Sequence, residues 1–445
     1  MLQKILKNPL LIQSLLSLIA RFTGVALNFA VILIITNYLP KSSAGDILLL
    51  MVFVTGVALI SRLGIDQLLM KEVASAHETD FKFRKGFLAV SYKAVLILSF
   101  IFMSIWLVAS PYIQSSFFQN GEQTTITTSL LMLASLGVLF FNLVILNSTY
   151  LKAIKKTVIG ILGQNALTAV TFLLLIIIFW KYFSNNQHTV VIYIVSLILA
   201  GILAIFITKK YATNISEATL KSKSVNNIPN IIEIIKRSLP LAPVSIISFL
   251  MIFTDTIMVG WYLLNEQVAE YSVASKISYI ILFFLQAMEA VIYPRLLNMY
   301  QHNQTQLRSF FWQSTALVVA VVLTITFIMY FLSDWILIAF GDEYIIAKEA
   351  LGLLLLAQLL RAASITFSFM FIIREKVKYL NIILVIAFIS NIIFNVVLIN
   401  LYGINGAALA TLIANATLLL LVLVLFYTKK LLHIPISKQK DESLA

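Results

Sequence analysis

The stretch "KKYATNISEATLKSKSVNNIPN", Lys209–Asn230, interrupts a chain that is otherwise strongly apolar. It opens the longest polar interval, Lys209 to Arg237, near the middle of 445 residues. Hydrophobic residues make up 60% of the chain and charged residues only 11%, with a mean hydropathy of +0.97. A water-soluble domain holds about 45–50% apolar and about 25% charged residues, so this is an integral membrane protein. A helix rises about 1.5 Å per residue, and about twenty apolar residues cross a hydrocarbon core of about 30 Å. Working outward from the interval, six runs of that length precede it, at 10–39, 45–65, 86–110, 126–150, 158–180 and 189–208. Six follow, at 239–264, 271–293, 309–332, 348–373, 380–400 and 406–428. The expected fold is all-α with about 12 spans in two six-helix bundles, 1–208 and 239–428, joined by a cytoplasmic linker at 209–238 and ending in a cytoplasmic tail at 429–445.

Charge orients these spans. Of 32 lysines and arginines, 24 fall in one alternating set of gaps, from Lys4 and Lys7 through Lys152, Lys155 and Lys156 to Lys429 and Lys430. The opposite set holds three, Lys41, Lys181 and Lys348. Basic loops remain in the cytoplasm, which places both termini there. The net charge of +13 is then accounted for by topology and anionic headgroups, with no nucleic-acid partner required. The basic start, "MLQKILKNPL", leads into an apolar run too long for a signal-peptide core and reads as a retained first span.

Six spans per half give both halves the same orientation, which predicts a parallel repeat about a pseudo-two-fold axis along the membrane normal. Echoes support it: "NYLPKSSAGD" after the first span against "YLLNEQVAEY" after the seventh, and "YLKAIKK" after the fourth against "FIIREKVKY" after the tenth.

Ionisable residues inside spans are expensive and mark cavities or partners. Arg21 lies about 16 Å into the first span at helical rise, and Arg361 is similarly deep in the tenth. Lys93 and Lys276 are near enough to an interface to snorkel or to line a lumen. Arg62, Asp46 and Asp66 are expected at interfaces, and Glu289 is expected to pair with Arg295. Intervals of three and four put Ser14, Ser17, Arg21, Gly24 and Asn28 on one helical face. The same spacing aligns Thr128, Ser135, Asn142 and Thr149, and also Gln358, Arg361, Ser364 and Ser368. Small polar stripes alone are ordinary packing seams. A guanidinium in two of them favours a hydrated lumen, with Arg21, Arg361, Asn28, Lys276, Lys93 and Asn142 as candidate substrate contacts. Asp255, in "FTDTIMVGW", is either the partner of an intramembrane base or a cation or proton site whose burial favours the protonated form.

Several chemistries lack their residues. Zero cysteines and four scattered histidines give no thiolate or histidine metal site, and no metal or cofactor is expected beyond a coupling H⁺ or Na⁺. A Walker-type phosphate loop is absent from the sequence, as is a long external loop able to carry a catalytic domain. A secondary transporter fits these absences, and an enzyme is not expected.

The chain resembles the multidrug/oligosaccharidyl-lipid/polysaccharide exporter superfamily, and within it the polysaccharide biosynthesis flippases of the O-antigen, or Wzx, type. The resemblance covers nearly the whole sequence. It is carried by the Arg21 stripe leading to "NYLP", by "YLKAIKK", by "TDTIMVGWYLLNEQVAEYSVASKIS", by "AFGDEYIIAKEALGLLLLAQLLRA", and by "SNIIFNVVLINLYGINGAALATLIA" with its Gly403, Gly406 and Ala407 turn. It implies a MATE-like V of two bundles, alternating access, and a cationic lumen for an undecaprenyl-diphosphate-linked oligosaccharide in a bacterial cytoplasmic membrane. Implied partners are that lipid-linked sugar, membrane lipids and polymerase or chain-length proteins, with the flippase itself a monomer. Where many relatives carry a basic residue after the aspartate of the seventh span, this chain has Thr256, so Asp255 needs a more distant partner. Rival readings are a multidrug cation exporter of the same superfamily, a lipid II flippase and, from another class, a membrane polysaccharide polymerase.

Overall fold

The computed structural model describes residues 9–76, 80–118, 126–183, 186–213, 227–302 and 304–432. The side chain of Ser14 lies outside that description, as do residues 214–226 of the linker. In the first half the helices are α1 (Pro9–Tyr38), α2 (Lys41–Arg62), α3 (Ile65–Ser75), α4 (Phe81–Phe117), α5 (Thr128–Ala153), α6 (Thr157–Asn165), α7 (Leu167–Ile178) and α8 (Asn186–Thr213). They continue as α9 (Ile231–Ser238), α10 (Ala242–Tyr262), α11 (Asn265–Ser278), α12 (Ile280–His302), α13 (Gln304–Phe331), α14 (Ser333–Ile338), α15 (Lys348–Ile373) and α16 (Val377–Thr428). Among the described residues there is no strand.

Among the described residues ten helices are long and apolar enough to cross a membrane, and α6 with α7, bent by 49° at their break, makes an eleventh span. The 52-residue α16 supplies two. Straight, it would reach ~78 Å, more than twice a ~30 Å hydrocarbon core. Instead it doubles back at Gly403, whose φ of 57° and ψ of −133° leave the helical region. A Cβ on Gly406 would lie 1.9 Å from the Leu398 carbonyl oxygen, and Asn391 Nδ2 donates to Thr411 Oγ1 at 3.5 Å, contacts that only a hairpin allows. The twelve spans read from hydropathy are therefore present.

Their outward faces are apolar. Val108, Phe331 and Trp335 are 84%, 76% and 78% exposed, as lipid-facing side chains should be. Two of the short helices not foreseen in the sequence, α3 and α9, lie in polar gaps and cover a core end. Leu69, Val73 and Ile234 are fully buried with Phe87 and Tyr150, and Arg237 of α9 pairs with Glu72 of α3. Asn230 starts α9 by accepting from the Glu233 amide at 2.9 Å.

The chain divides into two compact units, Met1–Ala269 and Glu270–Ala445. In the first, α5 is the central helix, touching α2, α3, α4, α6 and α8. The first span after the linker, α10, packs on α2 within this unit. Phe249 fills the space left by Gly56, and Leu49 that left by Gly260, each at 2.7 Å from where a Cβ would stand. In the second unit α15 takes the equivalent place, touching α12, α13, α14 and α16. Both central helices have 26 residues.

These two helices also end alike, where the sequence echo predicted a repeat. Lys155 and Glu375 both have positive φ, 65° and 57°. The Lys156 amide reaches the Leu151 carbonyl at 2.9 Å, and the Lys376 amide reaches that of Phe371 at 2.7 Å. With the inner bonds Lys155 to Lys152 and Glu375 to Ile372, each at 3.0–3.1 Å, these are two Schellman stops. Lys430 (φ 47°) repeats the turn at the end of α16.

Candidate functional site

Asn142 lies at the centre of the first unit, fully buried on α5. Arg62 Nη1 donates to its Oδ1 at 2.7 Å, and its Nδ2 donates to Ser61 Oγ and Ser99 Oγ at 2.8 Å each. Both amide hydrogens are thereby used. Arg62 turns inward from the last turn of α2, is 5% exposed, and places Nε 3.9 Å from Asp66 Oδ2. The interfacial position expected for Arg62 is thus replaced by a buried one, because an asparagine in mid-span offers an acceptor that lipid cannot. The rest of the α5 stripe is a seam: Ser135 and Thr149 are 2% and 5% exposed, and Ser135 Oγ bonds the Met132 carbonyl at 2.7 Å.

Asn28 is structural in a second way. Its Nδ2 donates at 2.7 Å to the Gly24 carbonyl and at 2.7 Å to the Asn165 carbonyl, at the break between α6 and α7. Gly24 permits the approach, since a Cβ there would stand 2.5 Å from Asn165 Cβ. Arg21 and Lys93 are exposed on this unit, and Arg21 has a partner within the fold. Asp255 is 4% exposed between Thr254 and Thr256, which are also buried. Asp46 departs from its expected interfacial place: it is 2% exposed and accepts from Asn265 Nδ2, where Gly45 lets the backbones of α2 and α11 meet.

In the second unit Arg361 is half-buried on α15. Its electrostatic neighbours are Tyr279 and Glu289, so Glu289 faces Arg361 across α12 and α15 and does not form the expected pair with Arg295. Among the described residues the Arg361 guanidinium makes no hydrogen bond and no ion pair within 4 Å, which leaves its five donors available. One turn earlier Gln358 is 2% exposed with Oε1 unpartnered. The serines of this stripe bond their own helix, Ser364 Oγ to the Arg361 carbonyl at 2.7 Å and Ser368 Oγ to that of Ser364 at 2.9 Å. Lys276 is half-buried on α11 and has a partner within the fold.

The candidates therefore separate chemically. Asn142 and Asn28 spend their amides on the fold, whereas Arg361 offers a planar, multiply donating cation inside a span, suited to phosphate or carboxylate oxygens. Among the described residues no group of three or more histidine, aspartate or glutamate side chains could hold a metal ion.

Comparison with known proteins places this arrangement. A probable low-salt glycan biosynthesis flippase of Haloferax volcanii, Agl15, is 28% identical over 227 residues, which are 49% of this chain and 46% of that protein. The match thus spans about half the length of this curated relative. The fold is shared with lipid II flippase MurJ in its inward closed conformation, at a TM-score of 0.69 and 17% identity over 96% of this chain and 88% of that one. It is shared too with an inward-facing MATE multidrug resistance transporter of the MOP superfamily, at a TM-score of 0.66 and 15% identity over 93% and 97%. A family model for MatE matches residues 240–397. Because the model described as "Polysaccharide biosynthesis protein" matches residues 11–300, well over half of the sequence, the chain belongs to that family, on a MATE-like fold.

Proposed function

We propose that the chain is a flippase for a lipid-linked oligosaccharide, moving an undecaprenyl-diphosphate-linked repeat unit of O-antigen, capsule or a similar glycan from the inner to the outer leaflet of a bacterial cytoplasmic membrane. The carrying observation is Arg361, a guanidinium inside a span that makes no hydrogen bond among the described residues and has Tyr279 and Glu289 as its electrostatic neighbours. A diphosphate presents the paired oxygens that such a fork binds. Glu289 beside it can accept from sugar hydroxyls, so the pair suits a cargo with both groups. Arg21 and Lys93 in the first unit and Lys276 in the second are the further cationic contacts. Transport is by alternating access, with 1–208 and 239–428 as the moving bundles, both termini cytoplasmic, and H⁺ or Na⁺ coupled through Asp255. The flippase acts as a monomer and hands its cargo to polymerase and chain-length proteins. The curated relative named as a glycan biosynthesis flippase supports this class of cargo.

The MatE match over 240–397 favours a second reading, export of an organic cation. Such a cargo would be repelled by Arg361, Lys276, Arg21 and Lys93. The two readings separate in a strain that depends on this gene for surface polysaccharide. Arg21→Ala with Arg361→Ala abolishes export at normal protein level, and the two Arg→Lys changes retain part of it, since charge without the bidentate fork binds phosphate less well. Full export by the double alanine variant would overturn the proposal.

A further inference from the structure

The first unit encloses a cavity of about 340 Å³, lined by α1, α5, α6, α7 and α8. Its size falls in the ~300–1,000 Å³ range of small-molecule sites. Its walls are nearly all apolar, from Leu27 and Leu151 through Leu162 and Val170 to Ala204. The polar exception with spare capacity is Ser148, which is 1% exposed and whose Oγ has no partner. That hydroxyl points at Gly163, where a Cβ would stand only 2.7 Å from it, so the absent side chain leaves room beside an unspent hydrogen-bonding group. By contrast, Thr23 and Asn147 on the same wall are satisfied, the first by the Ile19 carbonyl at 3.0 Å and the second by Tyr92 and the Leu143 carbonyl.

Positive charge stands one turn along. Lys152 follows Ser148 by four residues on α5, on the same helical face. It donates to Gln164 Oε1 and keeps two further N–H groups, and its electrostatic neighbours are Asp66 and, more weakly, Arg21. The bend of 49° between α6 and α7 opens this wall, and Asn28 holds the bend through the Asn165 carbonyl.

We propose that this cavity binds the first isoprenoid segment of a polyprenyl phosphate, with the phosphate on Lys152 and Arg21, a phosphoester oxygen bonded to Ser148, and the chain running past Leu162 and Val170 to Ala204. The identity of the lipid rests on the flippase reading above, while the site rests on the cavity and its orphan hydroxyl. A void of about 340 Å³ takes a short length of one branched chain and not the two acyl chains of a phospholipid.

The test is binding of radiolabelled farnesyl phosphate to the purified full chain in detergent, competed by farnesol, inorganic phosphate or phosphatidylglycerol. Saturable binding is expected, competed by none of the three at equal concentration. Lys152→Gln weakens it about tenfold, the loss of one charge-assisted contact, and Ser148→Ala weakens it less. Ala204→Phe fills the void and abolishes binding. Because that variant could fail to fold, a diazirine-bearing farnesyl phosphate on the unmodified protein gives an independent reading, with labelling expected at 157–170 and 204–207. Labelling elsewhere, competition by phosphatidylglycerol, or undiminished binding by a folded Ala204→Phe variant would each overturn the site. Export is read separately, in the polysaccharide-dependent strain, so an absent farnesyl phosphate site alongside intact glycan export refutes this inference alone, and binding without glycan export refutes the flippase reading alone.

Discussion

Arg62 donates to Asn142 and faces Asp66, whereas Arg361 is left with Glu289 and Tyr279 as electrostatic neighbours. The same side chain thus serves structure in one unit and remains available in the other. Asn142→Leu should leave the buried Arg62 guanidinium with only Asp66, 3.9 Å away, a loss of about 1–3 kcal/mol. Adding Arg62→Leu removes the stranded charge, so the double variant should be more stable than the Asn142 variant alone. Thermal unfolding in detergent checks the order; a double variant less stable than Asn142→Leu would show that the pair is not the unit of stability. The sequence made a polar residue in mid-span visible as needing a partner, and it marked Arg361 as deep. It did not reveal which partner, because Arg62 and Asn142 lie on different helices and meet only through packing. Asp46 shows the same limit, since its partner Asn265 is brought to it by the fold.

At the scale of elements, hydropathy and charge located every span, because twenty apolar residues in a membrane have few alternatives to a helix. Breaks within spans were harder to see. The run 158–180 reads as one helix, yet it bends by 49° between Asn165 and Leu167, with Asn28 on the freed backbone. Asn28, a candidate lumen contact by its spacing, commits its amide hydrogens to its own helix and to this neighbouring one. Gly403 was easier, since glycine and a second small residue three positions on are what a hairpin requires. The Schellman stops give this scale its own test. Lys155 and Glu375 occupy left-handed backbone that costs a side-chain-bearing residue about 1–2 kcal/mol. Part of that gain is offset by the freer unfolded chain, so Lys155→Gly and Glu375→Gly should each stabilise by about 0.5–1 kcal/mol. If these stops are true repeat equivalents, the two shifts in melting temperature should agree in sign; destabilisation by either would contradict the assigned turn.

For the molecule as a whole, the resemblance read from five ordered motifs and the family match agree on a polysaccharide biosynthesis protein with a MATE-like fold. What the fold does not carry is cargo, since one architecture serves both a lipid II flippase and a multidrug transporter. Cargo has to be argued from side chains. Arg21, Lys93, Lys276 and Arg361 are the proposed contacts of an anionic lipid, and Asp255, buried beside Thr254 and Thr256, is the proposed coupling group. A ligand-driven equilibrium moves only as far as its differential affinity for the two states, so both groups must change environment during transport. The most direct measurement is translocation of a fluorescent undecaprenyl-diphosphate oligosaccharide in vesicles holding the purified protein, read by an impermeant glycosidase with and without an imposed ion gradient. The account predicts protein-dependent translocation that the gradient accelerates, that Arg361→Ala abolishes, and that proceeds without gradient response in a stably folded Asp255→Asn variant. Translocation no faster than in empty vesicles, or unchanged by Arg361→Ala, would contradict it.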